Sequence, residues 1–140
     1  MELDIPSICE AIARERPDAP CLVHRDHTSS WARTAERTRR LASVLRDAGL
    51  GPVAQIEGAP SWVSRHDHVA LYLHNGPEYL EGMLGAWKAR CAPFNVNYRY
   101  VAAELRYLLD DAGARAVIVH DSFAPILAEV LGELEQPPVL

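Results

Sequence analysis

At 140 residues, the chain is long enough for one domain with a real core, and its 49% hydrophobic and 24% charged content is ordinary for a soluble globular protein. A net charge of -5 removes any general electrostatic case for binding nucleic acid or an anionic membrane. No apolar run approaches the roughly 20 residues that span a bilayer, and MELDIPSICEAI lacks the basic-then-apolar order of a secretory signal.

The pattern alternates between helix and strand. Ser7 to Arg16 reads as a short helix stopped by Pro17. Cys21–His24, a turn at Arg25-Asp26-His27, and Thr28–Trp31 read as a small hairpin. Ser30 is placed to cap a helix running to about Ala48, with Leu41, Val44, Leu45 and Ala48 on one face and Gly49 at the stop. Arg37, Arg39, Arg40 and Arg46 decorate that helix and read as a solvated face. Gly51 to Asp67 (GPVAQIEGAPSWVSRHD) has no period and reads as a long loop, with Trp62 as its one anchor to the core.

Val69 to Leu73 is apolar on both faces, as a buried parallel strand should be. Asn75 and Glu78 have capping-box spacing, and Pro77 falls in the first turn, where its missing N–H costs nothing. Leu80, Met83, Leu84 and Trp87 then share one helical face. Cys91 to Val96 reads as a strand whose Pro93 points to an edge or a bulge. Val101, Leu105, Leu108, Leu109 and Ala112 line a further helix closed by Gly113. Ala116 to Val119 is another strand, and Ser122 is placed to cap a last helix carrying Phe123, Ile126, Leu127, Val130 and Leu131. Pro137-Pro138-Val139-Leu140 reads as the lead-in to one more strand. Strands separated by amphipathic helices predict an α/β fold, with a mostly parallel sheet, flanking helices and an N-terminal β-hairpin.

In such sheets ligands gather at the carboxyl ends of the strands. Those ends carry His74-Asn75, Asn95 to Arg99, and His120-Asp121. Asn97 and Arg99 are the candidate substrate-binding residues. Each has a second reading: Asn97, like Asn95, fixes the turn after the strand, and Arg99 pairs with Glu104 rather than meeting a phosphate or carboxylate. No catalytic residue and no metal ligand is assigned. His66-Asp67-His68 lacks a third ligand at a defined spacing, and Asp110-Asp111 are neighbours that do not face each other on a helix. GxSxG, HExxH, GxGxxG and GxxxxGK[ST] are all absent. Cys9, Cys21 and Cys91 form no CxxC and read as reduced thiols of a cytoplasmic protein. Lys88 is the one lysine.

The strand VALYLHN, the Pro-Glu-Tyr helix start, the apolar helix ending at Lys88, NVNYRY and ELRYLLDDAG follow one another in an order that resembles the N-terminal portion of an acyl-CoA synthetase of the adenylate-forming superfamily. The resemblance covers roughly Ile5 to Leu134 and is strongest from His68 to Gly113. It implies residues 1–140 as an incomplete N-terminal AMP-binding-type domain, with 51–67 as a long loop where relatives are often tighter. It implies an ATP-dependent carboxylate–CoA ligase, which forms an acyl-adenylate and then a thioester, with ATP, Mg²⁺ and CoA as cofactors and a carboxylic acid, in particular a fatty acid, as substrate. The family's phosphate loop and catalytic lysine have no counterpart here. Lys88 sits in the wrong context, so the chain alone is expected to bind nucleotide poorly and to catalyse nothing. Arg33-Thr34 departs from the acidic or amide residue, followed by an apolar one, that the family commonly has there. Two other readings stand beside this one. The first is a truncated, non-catalytic relative that binds a partner or forms a homo-oligomer. The second is an unrelated small α/β protein, against which the missing glycine turn and late lysine count.

Overall fold

The computed structural model describes residues 4–54 and 57–140. The elements run α1 (Ile5–Glu15), β1 (Pro20–His24), β2 (His27–Ser30), α2 (Trp31–Asp47), β3 (His68–Tyr72), α3 (Pro77–Lys88), β4 (Ala92–Asn95), α4 (Ala102–Asp111), β5 (Ala114–Val119), a 3₁₀ turn (Asp121–Phe123) and α5 (Ala124–Leu131). β1 and β2 pair antiparallel, with Arg25 at φ 52 in their turn, and β3 lies between β4 and β5 in a parallel three-stranded sheet. The α/β architecture with its N-terminal hairpin is the one the alternation of patterns predicts.

β3 organises the core. Val69 and Leu71 face a cluster with Ala42, Leu45, Leu50, Ala86, Ala89, Cys91 and Ala116, while Ala70 and Tyr72 face the opposite cluster of Leu105, Leu109, Val117, Phe123, Leu127 and Val130. Side chains alternate across a strand, so a strand covered on both faces must be apolar throughout. All four residues are fully buried. β4 sits at the edge of the sheet, where Pro93 leaves no ladder bond unmade. On the far side Val139 lies beside β5 as a parallel bridge, its carbonyl accepting from Val117 N–H at 2.8 Å. The strand expected at the end of the chain does approach the sheet there.

Several local expectations change. α1 begins at Ile5 rather than Ser7, because Asp4 caps it by accepting from Ser7 N–H at 2.8 Å. Ser30 does cap α2, but the buried stripe is Thr34, Ala35, Thr38, Ala42 and Leu45, with Val44 exposed. The threonines tolerate burial because their hydroxyls are satisfied: Thr38 donates to Thr34 O at 2.8 Å, and Thr34 Oγ1 meets Ser29 Oγ at 3.1 Å. Arg37, Arg39, Arg40 and Arg46 on α2 are exposed but paired. Arg37 makes a bidentate bond to Glu81 (2.6 and 2.7 Å), Arg39 reaches Glu10, Arg40 reaches Glu36, and Arg46 touches Lys88 O.

On α3 the innermost residues are Glu81, Gly82, Gly85, Ala86 and the following Ala89, not Leu80, Met83, Leu84 and Trp87. Small residues let the helix wedge between β3 and α2, and a Cβ built on Gly85 would stand 2.5 Å from Leu41 Cδ2. The bulky side chains flank this contact. Asn75 does not cap α3. The helix starts one residue later, with Gly76 at its N-cap and Pro77 at its first position. Val101 is the exposed N-cap of α4 rather than part of its buried face, which rests on Leu105 and Leu109. Ser122 lies inside the 3₁₀ turn that leads into α5, so the imidazole of His120, not the serine, caps that turn. Gly49 and Gly113 end α2 and α4 at φ 83 and 56, the left-handed region that favours glycine.

The long loop is closed at its base by a Pro52–His66 bridge and by Asp67, which accepts from Gly51 N–H at 3.0 Å. Trp62 is 83% exposed and does not anchor it. Gln55 and Ile56 of this loop, and Met1 to Leu3 of the N-terminal segment, lie outside the described residues. No described helix is long and apolar enough to cross a membrane.

Candidate functional site

The three parallel strands deliver their following residues to one edge of the sheet. Main-chain bonds hold them there: Val96 N–H donates to Leu71 O at 3.1 Å, and His120 N–H to Tyr72 O at 3.0 Å. The result is an aromatic and imidazole shelf. The His74 ring stands 4.5 Å from Phe123, 4.9 Å from His120 and 5.5 Å from Tyr98. Phe123 stacks on Tyr98 at 6.3 Å and, beneath, on buried Tyr72 at 4.6 Å. Ser122 Oγ lies 2.8 Å from His120 Nδ1 and 3.4 Å from His74 Nε2.

His120 Nδ1 also accepts from Ser122 N–H at 3.2 Å and stands 2.8 Å from Asp121 Oδ1. One nitrogen cannot accept from the amide and donate to the carboxylate at once. The neutral ring favours the amide and the protonated ring favours Asp121.

Asn97 and Arg99 lie on the rim. Asn97 Oδ1 accepts from Arg99 N–H at 3.0 Å, and Asn97 O accepts from Tyr100 N–H at 3.0 Å. The asparagine therefore closes the turn that its side-chain chemistry suits. The Arg99 guanidinium lies 5.6 Å from the Tyr98 ring centroid. It does not pair with Glu104, whose carboxylate bends back to Val101 N–H at 3.1 Å and completes the first turn of α4. Asn75 and Asn95 are exposed.

The shelf presents planar faces, one permanent cation, imidazoles and a hydroxyl. That set suits a planar or anionic group more than a reaction requiring an enclosed pocket. The larger grooves lie elsewhere, among them one of about 750 Å³ between α4 and α5, bordered by Asp110, Asp111, Glu129 and Glu133. His66 and His68 do not act together. Their Nδ1 atoms contact Arg90 O and Ala112 O, respectively. Among the described residues, no trio of His, Cys, Asp or Glu is placed to hold a metal ion.

The feature that sequence reasoning missed is the setting of Lys88. Its side chain is 8% exposed, with Nζ 2.5 Å from Glu10 Oε1 and 2.7 Å from Thr38 Oγ1. Burial alone would raise the Glu10 pKa, but bonds from Arg39 and Lys88 outweigh it and hold the carboxyl below its usual range. This knot joins α1, α2 and α3 and lies away from the shelf residues in sequence. The only signal for it in the sequence is the solitary lysine among many arginines.

Comparison with known proteins places these observations. The family model described as AMP-binding enzyme matches residues 9–139. The medium-chain acyl-CoA ligase Mig of Mycobacterium avium is 42% identical over 136 residues, spanning 97% of this chain and 25% of that protein. A medium/long-chain-fatty-acid–CoA/3-oxocholest-4-en-26-oate–CoA ligase of Mycobacterium marinum is 33% identical over 129 residues, spanning 92% of this chain and 21% of that protein. Among solved structures, an inhibitor-bound N-terminal domain of FACL13 from Mycobacterium tuberculosis superposes with a TM-score of 0.78 at 24% identity, covering 98% of this chain and 31% of that one. The anthranilate CoA ligase AuaEII gives 0.80 at 20% identity, covering 95% of this chain and 23% of that one. At these identities the solved structures speak for the fold alone. The chain spans about a quarter or less of the length of the curated relatives named here.

Proposed function

The chain belongs to the AMP-binding enzyme family, and from that premise we propose that it serves as the N-terminal scaffold of an ATP-dependent ligase that joins a medium-chain or longer carboxylic acid to CoA. The observation that carries this reading is the 42% identity to a medium-chain acyl-CoA ligase across nearly the whole chain. The order VALYLHN, NVNYRY, ELRYLLDDAG and the parallel β4-β3-β5 sheet support it.

In such an enzyme, ATP with Mg²⁺ activates the acid as an acyl-adenylate, and CoA then takes the acyl group. The residues present here do not fit the polyphosphate or its metal. The chain has no glycine-, serine- and threonine-rich loop, and the described residues hold no trio of metal-ligating side chains. No chemical step is therefore assigned to this chain. Its contribution is positional: β3, β4 and β5 carry the shelf to one edge, Asn97 sets the turn, and Arg99 offers its guanidinium to a carboxylate or phosphate. Residues 1–140 act as one incomplete N-terminal domain in a cytoplasmic enzyme.

The test is acid-dependent ATP–pyrophosphate exchange by the product of the open reading frame containing this segment, measured with medium- and long-chain fatty acids and a sterol side-chain acid. The 140-residue chain, assayed alongside, is expected to show no exchange. A stop codon directly after Leu140 would sink the ligase reading for this product. The remaining reading would then be a binding or self-associating module, tested by sedimentation of the chain itself.

A further inference from the structure

A chain of net charge -5 nevertheless carries a basic groove, and the reading above gives it no role. The groove lies where α1 packs on α2 and α3, and its volume is about 760 Å³. Five cations border it, Arg14, Arg39, Arg46, Lys88 and Arg90, against two carboxylates, Asp4 and Glu10. Glu10 is taken by Lys88 at 2.5 Å and Arg39 at 3.1 Å, and Asp4 accepts from Ser7 N–H at 2.8 Å. Arg14 and Arg46 are exposed and have no carboxylate partner among the described residues. Arg46 makes one long bond, to Lys88 O at 3.5 Å.

The floor is apolar. Pro6, Ile8, Ala11 and Ile12 of α1 line it together with Ala42 of α2 and Trp87 of α3. Past Ile8 and Trp87 it runs into a second groove of about 610 Å³, which adds Ile5, Cys91 and Ala92. Of the permanent cations only Arg90 borders this far part, where its carbonyl meets His66 Nδ1 at 2.7 Å. Ala92 opens β4 and pairs in register with His68, so the far end lies at the amino ends of the parallel strands, opposite the shelf. Charge is thus gathered at one end and apolar surface at the other, with Ile5 and Ile8 about half exposed between α1 and solvent.

We propose that this groove binds a free medium-chain fatty acid, at a site separate from the shelf. The carboxylate accepts from the guanidinium groups of Arg14 and Arg46, for which it is the matching partner. The alkyl chain lies across Ile8 and Trp87 toward Ile5, Cys91 and Ala92, and takes their apolar surface out of water. A linear amphiphile fits a cationic end joined to an apolar track. An acidic peptide would leave the track unfilled, and a membrane surface would need a flat face rather than a cleft between helices. The groove holds the acid without activating it, and its occupancy does not depend on the ligase assignment.

Calorimetric titration of the purified chain with octanoate, decanoate and dodecanoate, each below its micelle concentration, tests this. Saturation at one acid per chain is expected, with affinity rising about two-fold for each added methylene, as when half of that group leaves water. Decanol should bind several-fold more weakly than decanoate. Arg46→Gln should weaken decanoate several-fold and leave decanol unchanged, while Ile8→Asp, which sets a carboxylate in the apolar track at an exposed position, should abolish both. Circular dichroism checks the fold of each variant. Quenching of Trp87 by a bromine-tailed decanoate, in a chain carrying Trp31→Phe and Trp62→Phe, locates the tail even if a groove variant unfolds. Absent quenching, non-saturating uptake, equal affinity for decanol and decanoate, or binding that survives Ile8→Asp would each overturn the proposal. So would loss of binding in Arg99→Gln alone, which puts the acid on the shelf, or sedimentation with anionic vesicles by a chain that ignores monomeric decanoate. Acid-dependent exchange bears on the ligase reading alone, so the two can fail separately.

Discussion

Replacing Lys88 with methionine keeps most of its volume and removes its charge, so the effect isolates the buried knot. Glu10 then keeps only Arg39, at 3.1 Å on the more exposed side, and Thr38 Oγ1 loses its contact at 2.7 Å. Breaking a fully buried pair by removing one partner costs about 3–5 kcal/mol. Here the Glu10 side chain is 23% exposed and a second cation remains, which reduces the expectation to about 1.5–3 kcal/mol. Urea titration of both proteins gives the difference, and a cycle with Glu10→Gln gives the coupling. The same link depends on pH. The folded Glu10 pKa lies below its ordinary 4.5, so its contribution is complete above that value and is lost as pH falls through the lower, folded pKa. The wild type should therefore lose its advantage over Lys88→Met in acid. A cost below about 0.5 kcal/mol at neutral pH, within the range of ordinary surface substitutions, would refute the view that the knot holds the three helices together.

Other substitutions probe other parts of the packing. Gly85→Ala sets a methyl 2.5 Å from Leu41 Cδ2 and should destabilise by about 1–3 kcal/mol, with Leu41→Ala in the same chain recovering part of the loss in urea titrations. Tyr72→Phe removes a buried hydroxyl that has no hydrogen-bond partner among the described residues, so the thermal midpoint should rise, in line with about 1 kcal/mol of relieved desolvation. A fall would show that the hydroxyl is satisfied. Trp62→Ser, at an 83% exposed site, should leave stability within about 0.5 kcal/mol, while its loss of fluorescence reports the solvated indole.

The sequence makes the secondary structure legible because β3 is doubly covered and its neighbours carry clear periods. Val69 to Tyr72 have no polar position, and Gly49 and Gly113 punctuate the helices where left-handed backbone is required. It misleads where burial is decided by size rather than hydrophobicity. On α3, leucine, methionine and tryptophan mark an apolar face, yet the helix approaches most closely through Gly82, Gly85 and Ala86. Thr34 and Thr38 are buried because Ser29 and the Thr34 carbonyl, five and four residues away, satisfy their hydroxyls. The Lys88 knot is invisible because its partner is remote: Glu10 lies 78 residues away, and only the packed fold brings the two together. At the shelf, topology alone gathers the strand ends. The contacts of His74 with Tyr98, His120 and Phe123 depend on rotamers that no spacing rule supplies.

Stability and candidate function occupy different parts of the molecule, and this makes the role of Arg99 separable. Its guanidinium is exposed and, among the described residues, rests against Tyr98, itself 43% exposed, at 5.6 Å. An exposed cation–π contact is worth about 0.5–1 kcal/mol. The turn itself is held by Asn97 Oδ1 accepting from the main-chain N–H of Arg99, a bond that survives any substitution except proline. Arg99→Gln should therefore shift stability by no more than about 1 kcal/mol and leave the fold intact by circular dichroism. In the full-length ligase proposed above, the same change should raise the KM for the acid or for ATP several-fold if the guanidinium meets a carboxylate or phosphate, with Arg99→Lys recovering part of the loss. Unchanged KM and kcat in Arg99→Gln would remove Arg99 from substrate binding and leave it as a solvated rim residue.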